Sequence, residues 1–154
     1  MNYAGAVYGS LLAASVVIGT SPRNDPAPAP RLIILLVATG FVFWLVHVHA
    51  SLAGDGRHAA SATWPWLAAV ARHEWPLAQA SFPPAIAATA CLVLGVGDAG
   101  VAWMALLVAL AGQVGWGIVA DTRSGASTRF VLVSAAFNLF LGMIVVLLKV
   151  TVTH

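Results

Sequence analysis

Two histidines set in an apolar run are the residues best placed to do chemistry. Within LIILLVATGFVFWLVHVHASLA, residues 32–53, His47 and His49 are the only titratable side chains. An apolar run of about 20 residues, rising about 1.5 Å per residue, spans a hydrocarbon core of about 30 Å. On such a helix Thr39, Phe43, His47, Ser51 and Asp55 follow one another at i+4 down one face, with Trp44 one turn before His47 on its flank. His47 therefore sits on a partly polar stripe, where an imidazole can take and give a proton near neutral pH. The stripe reads as path-lining or pH-sensing through His47, Trp44, Thr39 and Ser51. Its plainer reading is a structural imidazole bonded to a neighbouring helix.

His49 lies two residues on, about 200° round the helix, so His47 and His49 cannot chelate one metal from an intact helix. After the run, the titratable residues gather: Asp55, His58, His73 and Glu74 come within one polar stretch, residues 54–74. They read as a vestibule for proton or metal entry, or, more plainly, as an ordinary solvated loop.

Other chemistries lack their parts. An enzyme needs a nucleophile with its base, or a metal triad, and no catalytic residue stands at a recognisable spacing. Cys91 is the single cysteine, so one chain can build neither a disulfide nor a thiolate cluster. Haem held by two histidines needs a second histidine-bearing span, and none is expected. No metal or cofactor is assigned. No Asp or Glu is expected at mid-depth in a span, which argues against a proton-coupled or sodium-coupled carrier.

The elements that must position these residues follow from composition. Of 154 residues, 60% are hydrophobic and 8% charged, and mean hydropathy is +0.92. That leaves too little charge to solvate a globular surface. The seven Lys and Arg are scattered singly, which excludes a nucleic-acid surface. The expected fold is all-α: a single transmembrane domain over residues 1–154, with about five spans at 4–20, 32–53, 75–96, 101–120 and 130–150.

SPRNDPAPAPR, residues 21–31, holds four prolines and reads as a stiff extended connector. TWPWLAAVARH, residues 63–73, reads as a short interfacial helix with tryptophans at headgroup depth. Glu74, Trp75 and Pro76 read as the start of the third span, which Pro83 and Pro84 must kink or break. Small and polar residues recur at i+4 elsewhere. Gly5, Gly9 and Ala13 share a face of the first span, Ala105, Ala109, Gln113 and Gly117 of the fourth, and Ser134, Asn138 and Gly142 of the fifth. Such faces let helices approach closely, either within one chain or between copies, and Gln113 is a buried amide that needs a neighbour.

Five spans put the termini on opposite sides. Arg57, Arg72, Arg123 and Arg129 share the side of the N-terminus, against Arg23, Arg31 and Lys149. The positive-inside rule then places the N-terminus in the cytoplasm and the protein in the inner (plasma) membrane, by a margin of one residue.

FVFWLVHVHA, VYGS near the start, HEWP before the third span and LLKV near the end together resemble small polytopic membrane proteins of high-GC actinobacteria. The resemblance spreads over most of the chain, implies a membrane bundle and carries no activity with it. The features of small multidrug exporters, fluoride channels and vacuolar-type iron transporters are missing. Two functions remain. One is a small homo-oligomeric channel or permeation protein for protons or small ions, its path lined by the second span. The alternative is a non-catalytic membrane subunit or scaffold packed against a larger membrane partner. Both have the lipid bilayer as solvent.

Overall fold

In the computed structural model, residues 2–20, 26–54 and 63–152 form six helices and, among these described residues, no strand. They are α1 (Tyr3–Thr20), α2 (Ala29–Gly54), α3 (Trp64–Gln79), α4 (Phe82–Val93), α5 (Asp98–Arg123) and α6 (Thr128–Val152). Four of them, α1, α2, α5 and α6, are long and apolar enough to cross a membrane. Helices α3 and α4, bent by 40° at a short break, make a fifth crossing if taken as one span. The chain is a membrane bundle. Asp55 and His58, along with residues 21–25, lie outside the described residues.

The third span departs from expectation. Residues 63–73 are not a separate interfacial helix, and Glu74 does not start one: α3 runs unbroken from Trp64 through both. Pro65 in its first turn costs no hydrogen bond, and Pro76 is accommodated inside it. The break falls at Ala80 and Ser81, just ahead of Pro83 and Pro84, which then occupy the first turn of α4. There a missing N–H is no loss. Proline thus places the bend but starts a helix rather than interrupting one.

Two turns are built alike. Gly95 (φ 74°) and Gly125 (φ 75°) take the left-handed conformation that favours glycine. The Gly95 N–H donates to Leu92 O and that of Val96 to Cys91 O, while Gly125 and Ala126 donate to Thr122 O and Asp121 O. Both are Schellman closures, which satisfy the last carbonyls of α4 and α5 and let the chain reverse at once. Asp98, in the first turn of α5, accepts from the backbone N–H of Ala29 at 2.9 Å. One carboxylate thereby serves the N-termini of both α5 and α2 and pins them at one end of the bundle.

Helices α1 and α5 hold the centre. Their contact, with α2 and α4 beside it, is a core of Ala13, Ala14, Val17, Ala88, Ala105 and Leu106, all buried. Lipid is as apolar as leucine, so helices cohere here through close packing, and small side chains permit it. The glycine faces are used inside the chain. A Cβ at Gly9 would strike the backbone carbonyl of Leu77, and one at Gly40 would strike the Ser81 hydroxyl at the α3–α4 break. Gly5 is buried as well, and a Cβ at Gly142 would meet Leu110 at 3.2 Å. Packing within one bundle therefore accounts for these faces without a second copy. Helix α6 lies outermost, against α5, with Phe130, Leu132, Phe137 and Phe140 exposed on its outer side.

Candidate functional site

Asn2 begins the site by ending a helix. Its Oδ1 accepts from the N–H of Gly5 at 2.9 Å, the bond by which an Asn caps a helix N-terminus. The cap fixes the side chain and leaves its amide nitrogen to donate outward, to Glu74 Oε2 at 3.1 Å. From α2, the Ser51 hydroxyl donates to Glu74 Oε1, also at 3.1 Å. Glu74 is 8% exposed, and the last turn of α2 and the first turn of α1 close over it. Both donors are neutral, and among the described residues no cationic nitrogen stands within ion-pair distance of this carboxyl. Two neutral donors leave the carboxyl with lone pairs to spare, so it can also serve as an oxygen ligand for a cation.

One turn in from Ser51 stands His47. Its Nδ1 lies 3.0 Å from Phe43 O. A carbonyl only accepts, so Nδ1 carries the hydrogen and Nε2 is left to accept one. The imidazole faces α1, with the Tyr8 ring 5.6 Å away and tilted by 49°. Trp44 is engaged elsewhere: its indole N–H donates to Ala71 O at 2.9 Å, and its ring stands edge-on to Trp75 at 5.3 Å. Phe41 and Phe82 complete an aromatic cluster that ties α2 to both halves of the bent span. The aromatic neighbour of His47 is therefore Tyr8, not Trp44.

The expected stripe is not one continuous surface. Ser51 meets Glu74, His47 meets Tyr8, and Thr39 lines a cavity of about 10 Å³ beside Gly9, Gly40 and Ser81. That is room for roughly one water. Of the expected vestibule, His73 is exposed on α3, as is His49 on α2, whereas Glu74 is buried and bonded rather than solvated. Asp55 and His58 fall outside the described residues. No group of three metal-ligating side chains occurs among the described residues.

A second polar region also borders α1. A groove of about 360 Å³ between α1, α5 and α6 is lined in part by Tyr8, Gln113, Gly117, Asp121, Ser134 and Asn138. Gln113 is 1% exposed, yet among the described residues its Oε1 has no hydrogen-bond partner, and neither has the buried Oδ2 of Asp121. An orphaned buried acceptor costs about 1–3 kcal/mol. Asn138 turns its amide back to Ser134 O at 3.1 Å, close above Gly117.

Asn2, Tyr8 and Asp121 are the residues that sequence reasoning missed. A signal existed for two of them. Asn just ahead of an apolar helix is a cap, and Gln113, Gly117 and Asp121 continue one i+4 series. No protein-family model, no curated protein and no solved structure matches this chain.

Proposed function

We propose that this chain is a small membrane permeation protein for protons or small cations, taken up at the end of the bundle that carries Glu74. The observation that supports the reading is the Glu74 carboxyl, buried under two neutral donors from different helices. A proton or small cation neutralises it without breaking the fold, because neither hydrogen bond depends on a fixed counter-charge. His47, one turn deeper, is the next group able to accept a proton. The other half of the protomer has an alanine-packed core, so the rest of the path runs between copies of the chain. The protein then works as a homo-oligomer in the plasma membrane, with the N-terminus cytoplasmic by the positive-inside balance.

Reconstitution into liposomes tests this. Wild type should dissipate an imposed proton, sodium or potassium gradient, and Glu74→Gln, which keeps an amide oxygen for Ser51, should lower the flux at least about tenfold. Absence of flux for all three ions defeats the reading. The alternative, a non-catalytic subunit, draws support from an apolar groove of about 610 Å³ between α5 and α6, lined by Leu107, Val114, Leu139 and Met143 among others. Co-purification of a stoichiometric larger membrane protein, together with no flux, would establish that role.

A further inference from the structure

The groove between α1, α5 and α6 shares Tyr8 with the Glu74 site, and its chemistry is different. Its two orphaned atoms, Gln113 Oε1 and Asp121 Oδ2, are both acceptors. Whatever completes the groove must bring donors. The two residues share one face of α5, eight positions apart, which is about 12 Å along the axis. Gly117 lies between them, and the stretch from α1 that faces them is apolar apart from Tyr8.

Asp121 also sits where a negative charge is least welcome. It lies in the last turn of α5, whose carbonyl ends carry partial negative charge, whereas Asp98 at the opposite end of the same helix has its partner in Ala29. The cation nearest in sequence is used elsewhere: the Arg123 guanidinium lies over the Tyr3 ring, 5.8 Å from its centroid. A buried carboxylate oxygen at a helix C-terminus calls for a cation, and a buried amide oxygen two turns deeper calls for a neutral donor. A groove of about 360 Å³ is of small-molecule size.

We propose that this groove binds a small amphiphile of amino-alcohol type, with an ammonium on Asp121, an apolar linker along Val7 and Leu11 of α1 and a hydroxyl or amide N–H on Gln113. The ammonium end lies at the same end of the bundle as the first turn of α1, and the neutral donor reaches into the membrane. Tyr8 lines this groove and also contacts His47, so an occupant presses on the wall shared with the Glu74 site.

Three probes of equal length test it on the full chain in nanodiscs: 8-amino-1-octanol, octylamine and 1-octanol, with binding read from the shift of the unfolding midpoint and from ligand-observed NMR. The amino alcohol should bind about tenfold more tightly than either single-headed probe. Asp121→Asn should erase the advantage of octylamine over octanol, and Gln113→Leu should bring the amino alcohol down to the level of octylamine. Gln113→Leu also removes an orphaned polar group, so its ligand-free unfolding midpoint should not fall. Nanodiscs of phosphatidylcholine and of phosphatidylethanolamine separate two sources of the head. A free amino alcohol binds alike in both, whereas a seated lipid ammonium blocks the probe in the second. Equal affinities for the three probes on wild type would overturn the proposal, whatever the variants do, because partition into lipid alone predicts that result.

Discussion

The two ends of the bundle are built from different side chains, although the same helices run through both. At the end where α1 begins, Glu74, Asn2, Ser51, His47, Tyr8 and Trp44 meet through directed bonds and ring contacts. At the other, Ala14, Ala85, Ala88, Ala102 and Ala105 meet with almost nothing polar between them apart from the Asp98 cap. The contrast has a physical cause. Without a hydrophobic force between helices, a bundle coheres either by bringing backbones close or by sharing polar groups. The alanine half does the first and behaves as a clamp. The polar half does the second, and its bonds are held in place because the clamp fixes the helix ends.

The clamp should be the more sensitive to added bulk. Gly9 sits where the two modes meet, and any side chain there collides with the Leu77 carbonyl, which is backbone and cannot rotate away. Gly9→Leu should cost about 3 kcal/mol or more in denaturant unfolding of the detergent-extracted protein. Gly19→Leu is the control, since a Cβ there meets nothing within 4 Å. If Gly9→Leu instead preserved the unfolding midpoint and only halved the oligomeric mass, the face would serve a second copy and the clamp description would fail.

The polar half should respond more gently and bond by bond. Trp44→Phe keeps an aromatic ring against Trp75 and removes only the indole N–H that Ala71 accepts. A loss of about 1 kcal/mol is expected in the same unfolding assay. No loss would mean that the indole does not hold α2 to α3, and would weaken the contrast between the two ends.

Four crossings, and a fifth if α3 and α4 are taken as one span, were legible because each needs about 20 apolar residues, a one-dimensional property. The first half of the bent span was not. Its segment, residues 64–73, carries Trp64, Arg72 and His73 on the exposed side, so its composition resembles that of a surface helix, and what draws it into the bundle, the Trp44 bond to Ala71 and the burial of Glu74 and Leu77 just beyond, lies between helices. Small-residue faces were legible as faces. Their partners were not, because i+4 spacing is a property of one helix, whereas the fit of Gly9 to Leu77 is a property of two. The site was legible in its parts and illegible in its assembly. His47 and Glu74 both stood out as titratable groups, but Asn2 and Glu74 are separated by 72 positions and no local pattern joins them. Gln113 was recognised as a buried amide, and extending its series by one turn would have reached Asp121.

The finest test of the contrast separates function from packing at a single ring. Of the two histidines in α2, His49 is exposed, and His47 is half-buried against Tyr8, one turn from the serine that bonds Glu74. His47 spends Nδ1 on its own helix, so Nε2 is the atom that can gain and lose a proton. Removing the ring therefore breaks no bond between helices, costing one ring contact and the bond to Phe43 O within α2, and His47→Ala should shift unfolding by about 1 kcal/mol. Flux is where the effect should show. If a proton passes between Glu74 and the interior through this imidazole, His47→Ala flattens the dependence of flux on pH, and His49→Ala, about 200° round the same helix, leaves it as in wild type. A Tyr8→Phe variant, which keeps the ring beside His47 and removes its hydroxyl, should behave like wild type if only packing orients the imidazole. Equal flattening by His47→Ala and His49→Ala would place the pH response in the charge of the whole helix end rather than at one ring, and the polar half would then be a surface and not a relay.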